Sequence, residues 1–354
     1  HLLLRLPALP SSLPRASLVC TRWRRLVTDP DFLRRFRARH WKPLGVFVTS
    51  SLSGDEDTSF SFISDPPDSI PPERFSVSAC CQGGAGGNDC IWEFQGCRHW
   101  LVLLFNTYRY GCCLRQVLHH LLGTPHVSDP NWDGYAFSSR GAVICASGDK
   151  GPFKVALAWS DRHDAHACVY SSETGVWGAV VSAALQSDSW SVVSLSNVLV
   201  GNSLYWIILG SQLRILEFDL GSQNIAVIKV PLPSDVYANH HGLYLSTLAK
   251  DGGLSLIIMS DNLTAQMWER TADSDGVAPW VLGRTMELDK LLSLTSGRFP
   301  KTILRLYGDD NIIFVSTYRG VFMVHLKLMQ FEKIFYTSPF SYYGTIHPFK
   351  WLYA

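Results

Sequence analysis

Residues 217–230 read EFDLGSQNIAVIKV. An apolar run ends at Leu220, a polar turn covers Gly221 to Asn224, and a second strand pattern begins at Ile225. The same order recurs in VYSSETGVWGAVV at residues 169–181 and in MWERTADSDGVAPWVL at residues 267–282. A stronger apolar run precedes each of them, centred near Val155, Tyr205 and Leu256. Runs of the same kind centre near Leu103, followed by Val117, and near Ile313, followed by Val324. One more copy fits ahead of these, VFVTS from Val46 and then FSFI from Phe60.

Six copies at intervals of about fifty residues, each with three or four strands, predict the blades of a β-propeller. One blade cannot bury both of its faces, and stacking blades around an axis buries them while leaving few open edges. Residues 44–354 shared among six copies give about 52 each, and among seven about 44, so the observed spacing favours six. Two packed β-sandwiches are the alternative, and they need no even period. The paired-Gly and Tyr/Trp signs of kelch repeats and the recurring Trp-Asp dipeptides of the other common propeller are not seen. RTMELDKLLSLTSG, residues 284–297, predicts a local helix with Met286, Leu288, Leu291 and Leu292 as a stripe and Gly297 as its stop, which lengthens that repeat. SDPPDSIPPERF (residues 64–75) reads as a Pro-rich connection and QGGAGGND (residues 82–89) as a loop. No Lys-Ser/Thr follows Gly83, Gly84, Gly86 and Gly87, so they make no phosphate loop.

The chain has 354 residues, 47% hydrophobic and 17% charged, enough for a sizeable core. No uninterrupted apolar run is long enough to span a membrane. Arg5 and Pro7 break the Leu-rich opening, which is therefore not read as a signal peptide. Nine cysteines stand at 20, 80, 81, 90, 97, 112, 113, 145 and 168, an odd number with no Cys-x-x-Cys pair. Reduced thiols in the cytoplasm or nucleus are the expectation, not a metal or disulfide framework. The sequon Asn262-Leu263-Thr264 would be silent there. Charge is uneven: residues 1–43 hold nine Arg and one Lys against Asp29 and Asp31, a net of +8, and with +1 overall the remainder carries −7. The segment RRFRARHWK, Arg34 to Lys42, invites a nucleic-acid reading, but Phe32, Leu33 and Phe36 interleave at helical spacing, which favours a solvated helix face beside a partner.

Residues 1–12 read as a short helical piece ending in a Pro-rich turn. Downstream, Ala16, Val19, Cys20, Trp23, Leu26 and Val27 recur at helical spacing, with Arg15, Arg22, Arg24 and Arg25 on the other side. Asp29 stands as an N-cap with Pro30 at the first helical position, and Phe32, Leu33 and Phe36 stripe a second helix that Pro43 closes off. Two helices of this size bury too little to stand alone and need a partner surface.

The opening stretch HLLLRLPALPSSLPRASLVCTRWRRLVTDPDFLRRF resembles an F-box, the helical module that docks on Skp1 in cullin-based ubiquitin ligases. The resemblance rests on Leu3, Leu4, Leu6, Pro7, Leu13, Ala16, Ser17, Val19, Cys20, Trp23, Arg24, Leu26, Phe32 and Leu33. The rest is similar to the large grass-type F-box protein group, whose C-terminal β domain faces substrate. An F-box ordinarily opens with a Leu-Pro and an acidic pair ahead of the position of Leu4. Their absence here implies a shortened first helix, in a fragment or in a form with a reduced Skp1 contact. By resemblance, Leu3, Leu6, Pro7, Leu13, Val19, Cys20, Trp23 and Arg24 would meet Skp1.

Catalytic constellations were sought against this background. His119-His120 and His240-His241 are adjacent pairs that point to opposite faces of a strand. Asp161, His163, Asp164 and His166 could in part share a face, but they fall between the Val155 and Val169 runs, where a polar turn is expected. Asp309-Asp310-Asn311 reads as a turn before a strand. Trp177, Trp206, Trp268 and Trp280 sit at equivalent repeat positions and are expected in the core between blades, whereas His99, Trp132, Tyr237 and Tyr343 near predicted turns are candidates for a recognition surface.

The expected domains are therefore an F-box over residues 1–43 and a substrate-recognition β domain over residues 44–354. The expected function is that of a non-catalytic substrate adaptor of an SCF ubiquitin ligase, with Skp1, a cullin and a target protein as partners and no cofactor, metal or membrane. The alternatives are a propeller enzyme or small-ligand module with a vestigial F-box, and a nucleic-acid binder, which the −7 balance of residues 44–354 opposes.

Overall fold

A computed structural model describes residues 2–7, 12–39, 45–51, 58–64, 92–98, 101–106, 114–115, 121–122, 140–145, 152–160, 163–185, 192–209, 213–230, 242–246, 253–260, 262–270, 279–294, 302–307, 311–317, 319–335 and 343–349. The chain divides into two compact units, residues 1–124 with 143–154 and 342–354, and residues 125–142 with 155–341.

The helices begin with a single 3-10 turn at Leu3–Arg5. Then come α1 (Ser12–Ser17), α2 (Thr21–Val27) and α3 (Pro30–Arg39). The expected unbroken stripe from Ala16 to Val27 is interrupted. Cys20 is extended at φ −163° and caps α2, its Sγ accepting from the Trp23 N–H at 3.4 Å. A thiol thus does at this break what a hydroxyl or carboxylate does at most helix starts. The two halves of the stripe now face differently: Ala16 and Val27 are buried, while Val19 and Leu26 are exposed. The start of α3 follows the sequence reading, since Asp29 Oδ1 accepts from the Phe32 N–H at 2.8 Å and Pro30 opens the helix. Leu3, Leu13, Ala16, Val27 and Phe36 form a small core, with Trp23, Phe32 and Leu33 packed on it. A handful of buried side chains at roughly 1.5–3 kcal/mol each does not offset an ordering cost of about 1–2 kcal/mol for every residue. The module therefore depends on further contacts.

Downstream lie β1 (Gly45–Ser51), β2 (Thr58–Ser64), β3 (Trp92–Arg98), β4 (Leu101–Asn106) and the two-residue β5 (Leu114–Arg115) and β6 (Leu121–Leu122). Next, β7 (Arg140–Cys145), β8 (Phe153–Ser160), β9 (Asp164–Ser171) and β10 (Val176–Trp177) form a sheet in sequence order, and β11 (Val181–Ala184) adds to β9. Three antiparallel meanders of four strands follow. The first holds β12 (Val192–Val200), β13 (Ser203–Leu209), β14 (Arg214–Asp219) and β15 (Ile225–Lys229). The second holds β16 (Gly242–Ser246), β17 (Ser255–Met259), β18 (Thr264–Arg270) and β19 (Trp280–Glu287), and one helical turn, α4 (Leu288–Leu291), comes after it. The third holds β20 (Thr302–Tyr307), β21 (Ile312–Thr317), β22 (Gly320–His325) and β23 (Gln330–Phe335), and β24 (Tyr343–Phe349) ends the strands.

The period read from the sequence corresponds to one position in each sheet. Val155, Tyr205, Leu256 and Ile313 lie on the second strands β8, β13, β17 and β21. Val169, Phe218, Trp268 and Val324 lie on the third strands β9, β14, β18 and β22. Val46 is on β1, which pairs with β2 on one side and with β24 on the other, Val48 opposite Ile346. The last strand of the chain thus takes the place in the first sheet that β12, β16 and β20 take in theirs, and β1 keeps no open edge.

Burial separates blades from a sandwich. Every residue of β17 is buried. Leu256 and Ile258 face the preceding sheet, packing with Tyr205, Ile207 and Ile215. Ile257 and Met259 face the following one, packing with Ile313, Val315 and Val324. A sheet of a two-layer sandwich keeps one face wet, whereas this sheet is covered on both. Within the second unit the first strands β12, β16 and β20 lie against one another, as inner strands around an axis do.

The turns explain why the polar segments recur. Asp219 Oδ1 accepts from the backbone N–H groups of Gly221 at 2.9 Å and Ser222 at 2.7 Å, and this closes the β14–β15 turn. Gly175, at φ 71°, does the same work between β9 and β10, where its N–H donates to the Ser171 carbonyl at 2.9 Å.

One expectation needs correction. The helix expected over residues 284–297 is only partly formed: β19 runs to Glu287, Met286 pairs with Ala265, Leu288–Leu291 is the one helical turn among the described residues of this stretch, and Gly297, its expected stop, lies outside them. The backbone groups of β18 need a ladder partner, and that need overrides a local helical pattern. The apolar stripe is still used, because Met286, Leu288 and Leu292 are buried between sheets. Tyr343 is the first residue of β24, opposite Ser50. Of the four tryptophans expected in the core, Trp206 and Trp280 are buried, while Trp177 and Trp268 are half-buried.

Candidate docking surface on the helical module

Site residues on the helices sort by burial. Leu3 and Leu13 lie inside the module and hold its parts together. Leu6 and Trp23 are half-buried at its edge, and Pro7, Val19, Cys20 and Arg24 are exposed. Beside the break at Cys20, Leu18 is 76% exposed and Val19 62%, and Leu26, near the end of α2, is 42% exposed. Leu2, beside the 3-10 turn, is 72% exposed. Large apolar side chains at this exposure, on a module with so small a core, are what a candidate docking surface offers. Leu18 was not among the site residues read from the sequence. Its signal was the Cys20-Thr21 pair, a helix start placed in the middle of an apparently continuous stripe.

Polar atoms around the elbow are held in place. Ser17 Oγ donates to the Pro14 carbonyl at 2.6 Å, and Arg24 Nε donates to the Ser17 carbonyl at 3.5 Å, tying α2 to the end of α1. Thr28 Oγ1 donates to the Arg24 carbonyl at 2.9 Å and finishes α2. Neither the exposed Cys20 nor the buried Cys168 is in a disulfide.

The other candidates come out differently. His166 Nδ1 is 2.7 Å from Ser182 Oγ, its cross-strand neighbour, and its ring stacks on Trp159 at 5.4 Å. Asp164 pairs in register with Ala184, and Asp161 lies outside the described residues. Among the described residues no three His, Cys, Asp or Glu side chains gather as a metal site would need. No helix among them is long and apolar enough to cross a membrane. His99, Trp132, Tyr237, the pairs His119-His120 and His240-His241, the glycines at 83–87, and Asp309 with Asp310 lie outside the described residues. Asn311 is in a turn at φ 56° and its carbonyl accepts from the Leu326 N–H at 2.8 Å.

Within the sheet of β12–β15 one polar pair stands out. Tyr205 Oη donates to Glu217 Oε1 at 2.7 Å across β13 and β14. Burial, then the hydrogen bond and charge of Glu217, push the Tyr205 hydroxyl up to about 12. Asp219, held by the N–H and hydroxyl of Ser222, titrates below its ordinary range.

Two family profiles match the chain. The F-box domain profile matches residues 2–35. The profile described as "F-box protein AT5G49610-like, beta-propeller" matches residues 105–354, more than half of the chain. The chain belongs to this family of F-box proteins with a β-propeller. No curated protein sequence matches it. Among solved structures it is similar to dipeptidyl peptidase 4 of Porphyromonas gingivalis, with 10% identity and a TM-score of 0.34 over 82% of this chain and 44% of that one. It is also similar to the WD40 domain of SCAP from fission yeast, with 10% identity and a TM-score of 0.31 over 76% of this chain and 58% of that one. The chain thus spans less than two thirds of either.

Proposed function

We propose that this protein is the substrate-recognition subunit of a Skp1–cullin–F-box ubiquitin ligase. Residues 1–43 would dock on a Skp1-like protein, and residues 44–354 would hold a target. The observation that carries this is the exposure of Leu18, Val19 and Leu26 on a module that matches the F-box profile. Leu6, Pro7, Val19, Cys20, Trp23 and Arg24 would touch the partner, while Leu3 and Leu13 keep the helices in position behind them.

The chain's contribution is effective concentration. It holds target lysines near a ubiquitin-loaded enzyme recruited through the cullin, and does no covalent chemistry itself. Its reduced cysteines suit the cytoplasm or nucleus as the place of work. Reconstitution tests the reading: the chain, a Skp1-family protein and a cullin N-terminal fragment are mixed and passed over a sizing column. A ternary complex is expected. A chain that elutes alone at every concentration sinks the adaptor role and returns the β domain to study as an independent module.

A further inference from the structure

Two groups of polar atoms face each other between neighbouring sheets of the second unit. On β18, Trp268 and Arg270 stand two residues apart, and Arg270 lies opposite Trp280 of β19, so all three side chains project from one face. That face packs on the sheet of β12–β15, where Tyr205 shares a core with Trp268 and Trp280. Tyr205 and Glu217, joined by their hydrogen bond, are register partners on the facing surface. Burial is the largest cause of the raised Tyr205 hydroxyl, and the charge of Arg270 opposes it, which sets the guanidinium within electrostatic reach of the pair.

Three N–H donors on the β18–β19 face are buried and have no acceptor: Trp268 Nε1, Trp280 Nε1 and Arg270 Nε. Trp280 as a whole is only 9% exposed. The Arg270 side chain makes no hydrogen bond or ion pair among the described residues, and the Glu217 carboxylate is taken by Tyr205 instead. Buried donors are nearly always paired, and a guanidinium whose Nε is out of water needs a countercharge. Packing does not account for these groups, since apolar side chains would fill the space between sheets without leaving a donor or a charge unmatched. The place is also reachable. Arg270 is the last residue of β18, Trp280 the first of β19 and Tyr205 the third of β13, so the group stands near strand ends, and Trp268, Arg270 and Glu217 are only half-buried.

We infer that the juncture of the β12–β15 and β16–β19 sheets binds a single carboxylate borne on an apolar body, with Arg270 as its countercharge and the indole N–H groups of Trp268 and Trp280 as further donors. The donor set selects the ligand. Guanidinium and indole N–H groups donate and never accept, so they call for an oxygen-rich anion. Glu217 stands close by, and a doubly charged phosphate would meet more repulsion from it than a singly charged carboxylate does. The indole rings and the apolar core behind them favour an apolar body on that carboxylate. A chain terminus or acidic side chain of a bound protein offers this chemistry, and so does a free small acid. The inference concerns the β domain and stands apart from docking by the helices.

The test uses the full chain labelled with nitrogen-15 tryptophan, whose twelve indole N–H signals are followed during titration. Trp268→Phe and Trp280→Phe identify two of them. The probes are phenylpropionate, phenylpropionamide, N-acetyl-glycyl-phenylalanine with a free carboxylate, and inorganic phosphate. Both identified signals are expected to move with either acid, and the amide should bind at least about tenfold more weakly than its acid. Arg270→Gln should weaken both acids by about tenfold or more, with Arg270→Lys in between, because an ammonium keeps the charge and loses the planar fork. Acid against amide on the wild-type chain stands as a test even where Arg270→Gln folds poorly. Tighter binding of the peptide acid supports the inference and assigns the carboxylate to a protein segment, and tighter binding of phenylpropionate supports it and assigns a free small acid. Equal binding of acid and amide, phosphate binding more tightly than both acids, or movement that spares the Trp268 and Trp280 signals overturns it. Signals unmoved by every probe at about 10 mM overturn it as well, since that excludes even millimolar affinity.

Discussion

The helical module and the meanders of the second unit treat apolar side chains in opposite ways. In β17 and β22 every residue is buried, and Trp206, Phe218 and Phe314 have almost no exposed surface. In the helices Leu2, Leu18, Val19 and Leu26 face water while the core holds only a few residues. The sheet of β16–β19 gains stability from neighbours of its own kind on both faces. The helices have no such repeat to stack on. Burial left incomplete in a short module therefore points to a partner, whereas the same composition inside the repeat points only to packing.

This contrast can be broken first at its strong side. Trp206→Ala empties a fully buried indole site and should cost about 3–5 kcal/mol, read as a lowered urea midpoint. A loss below about 1 kcal/mol would show that the sheets are not close-packed there. At the helices, Asp29→Ala removes the cap of α3 and should cost about 1 kcal/mol of helix stability, followed by helical circular dichroism on heating.

Tyr205→Phe sharpens the comparison within the sheets. It deletes the hydrogen bond to Glu217 and should cost about 1 kcal/mol. The hydroxyl keeps its proton more tightly folded than unfolded, so its contribution is complete below pH 10.0 and is lost as pH rises toward about 12. The variant should show a shallower fall of stability over that window. The smallest effect is at the β14–β15 turn. Asp219 titrates lower when folded, so its contribution is present above the usual carboxylate range and is lost on acidification. Asp219→Asn should flatten the acid limb of the stability profile, and an unchanged limb would contradict the turn geometry.

The repeat was legible because each blade uses its second strand in the same way. Val155, Tyr205, Leu256 and Ile313 lie in runs that are buried along most of their length, so a simple count of apolar positions recovered the period. The closing role of β24 was not legible, since pairing Val48 with Ile346 is a contact between opposite ends of the β domain that no local pattern encodes. The stretch before α4 misled for a related reason: Met286 and Leu288 fit both a helical stripe and a strand end, and the ladder of β18 decided between them. On the helices, the F-box pattern was visible from Leu3 to Leu33, but the break at Cys20 was hidden by a periodicity that runs on through it. That break is what turns Val19 and Leu26 outward, so the exposed patch became apparent only with the fold.

The measurement that bears most directly on the central claim is the affinity of the full chain for a Skp1-family protein, beside Val19→Asp with Leu26→Asp. Both side chains are exposed, so the double variant should keep its unfolding midpoint within about 0.5 kcal/mol of wild type. Binding is expected to weaken by about a hundredfold or more, because two charges would be buried against an apolar pocket. Equal affinity for the two proteins would contradict the account and place the docking surface elsewhere on the chain.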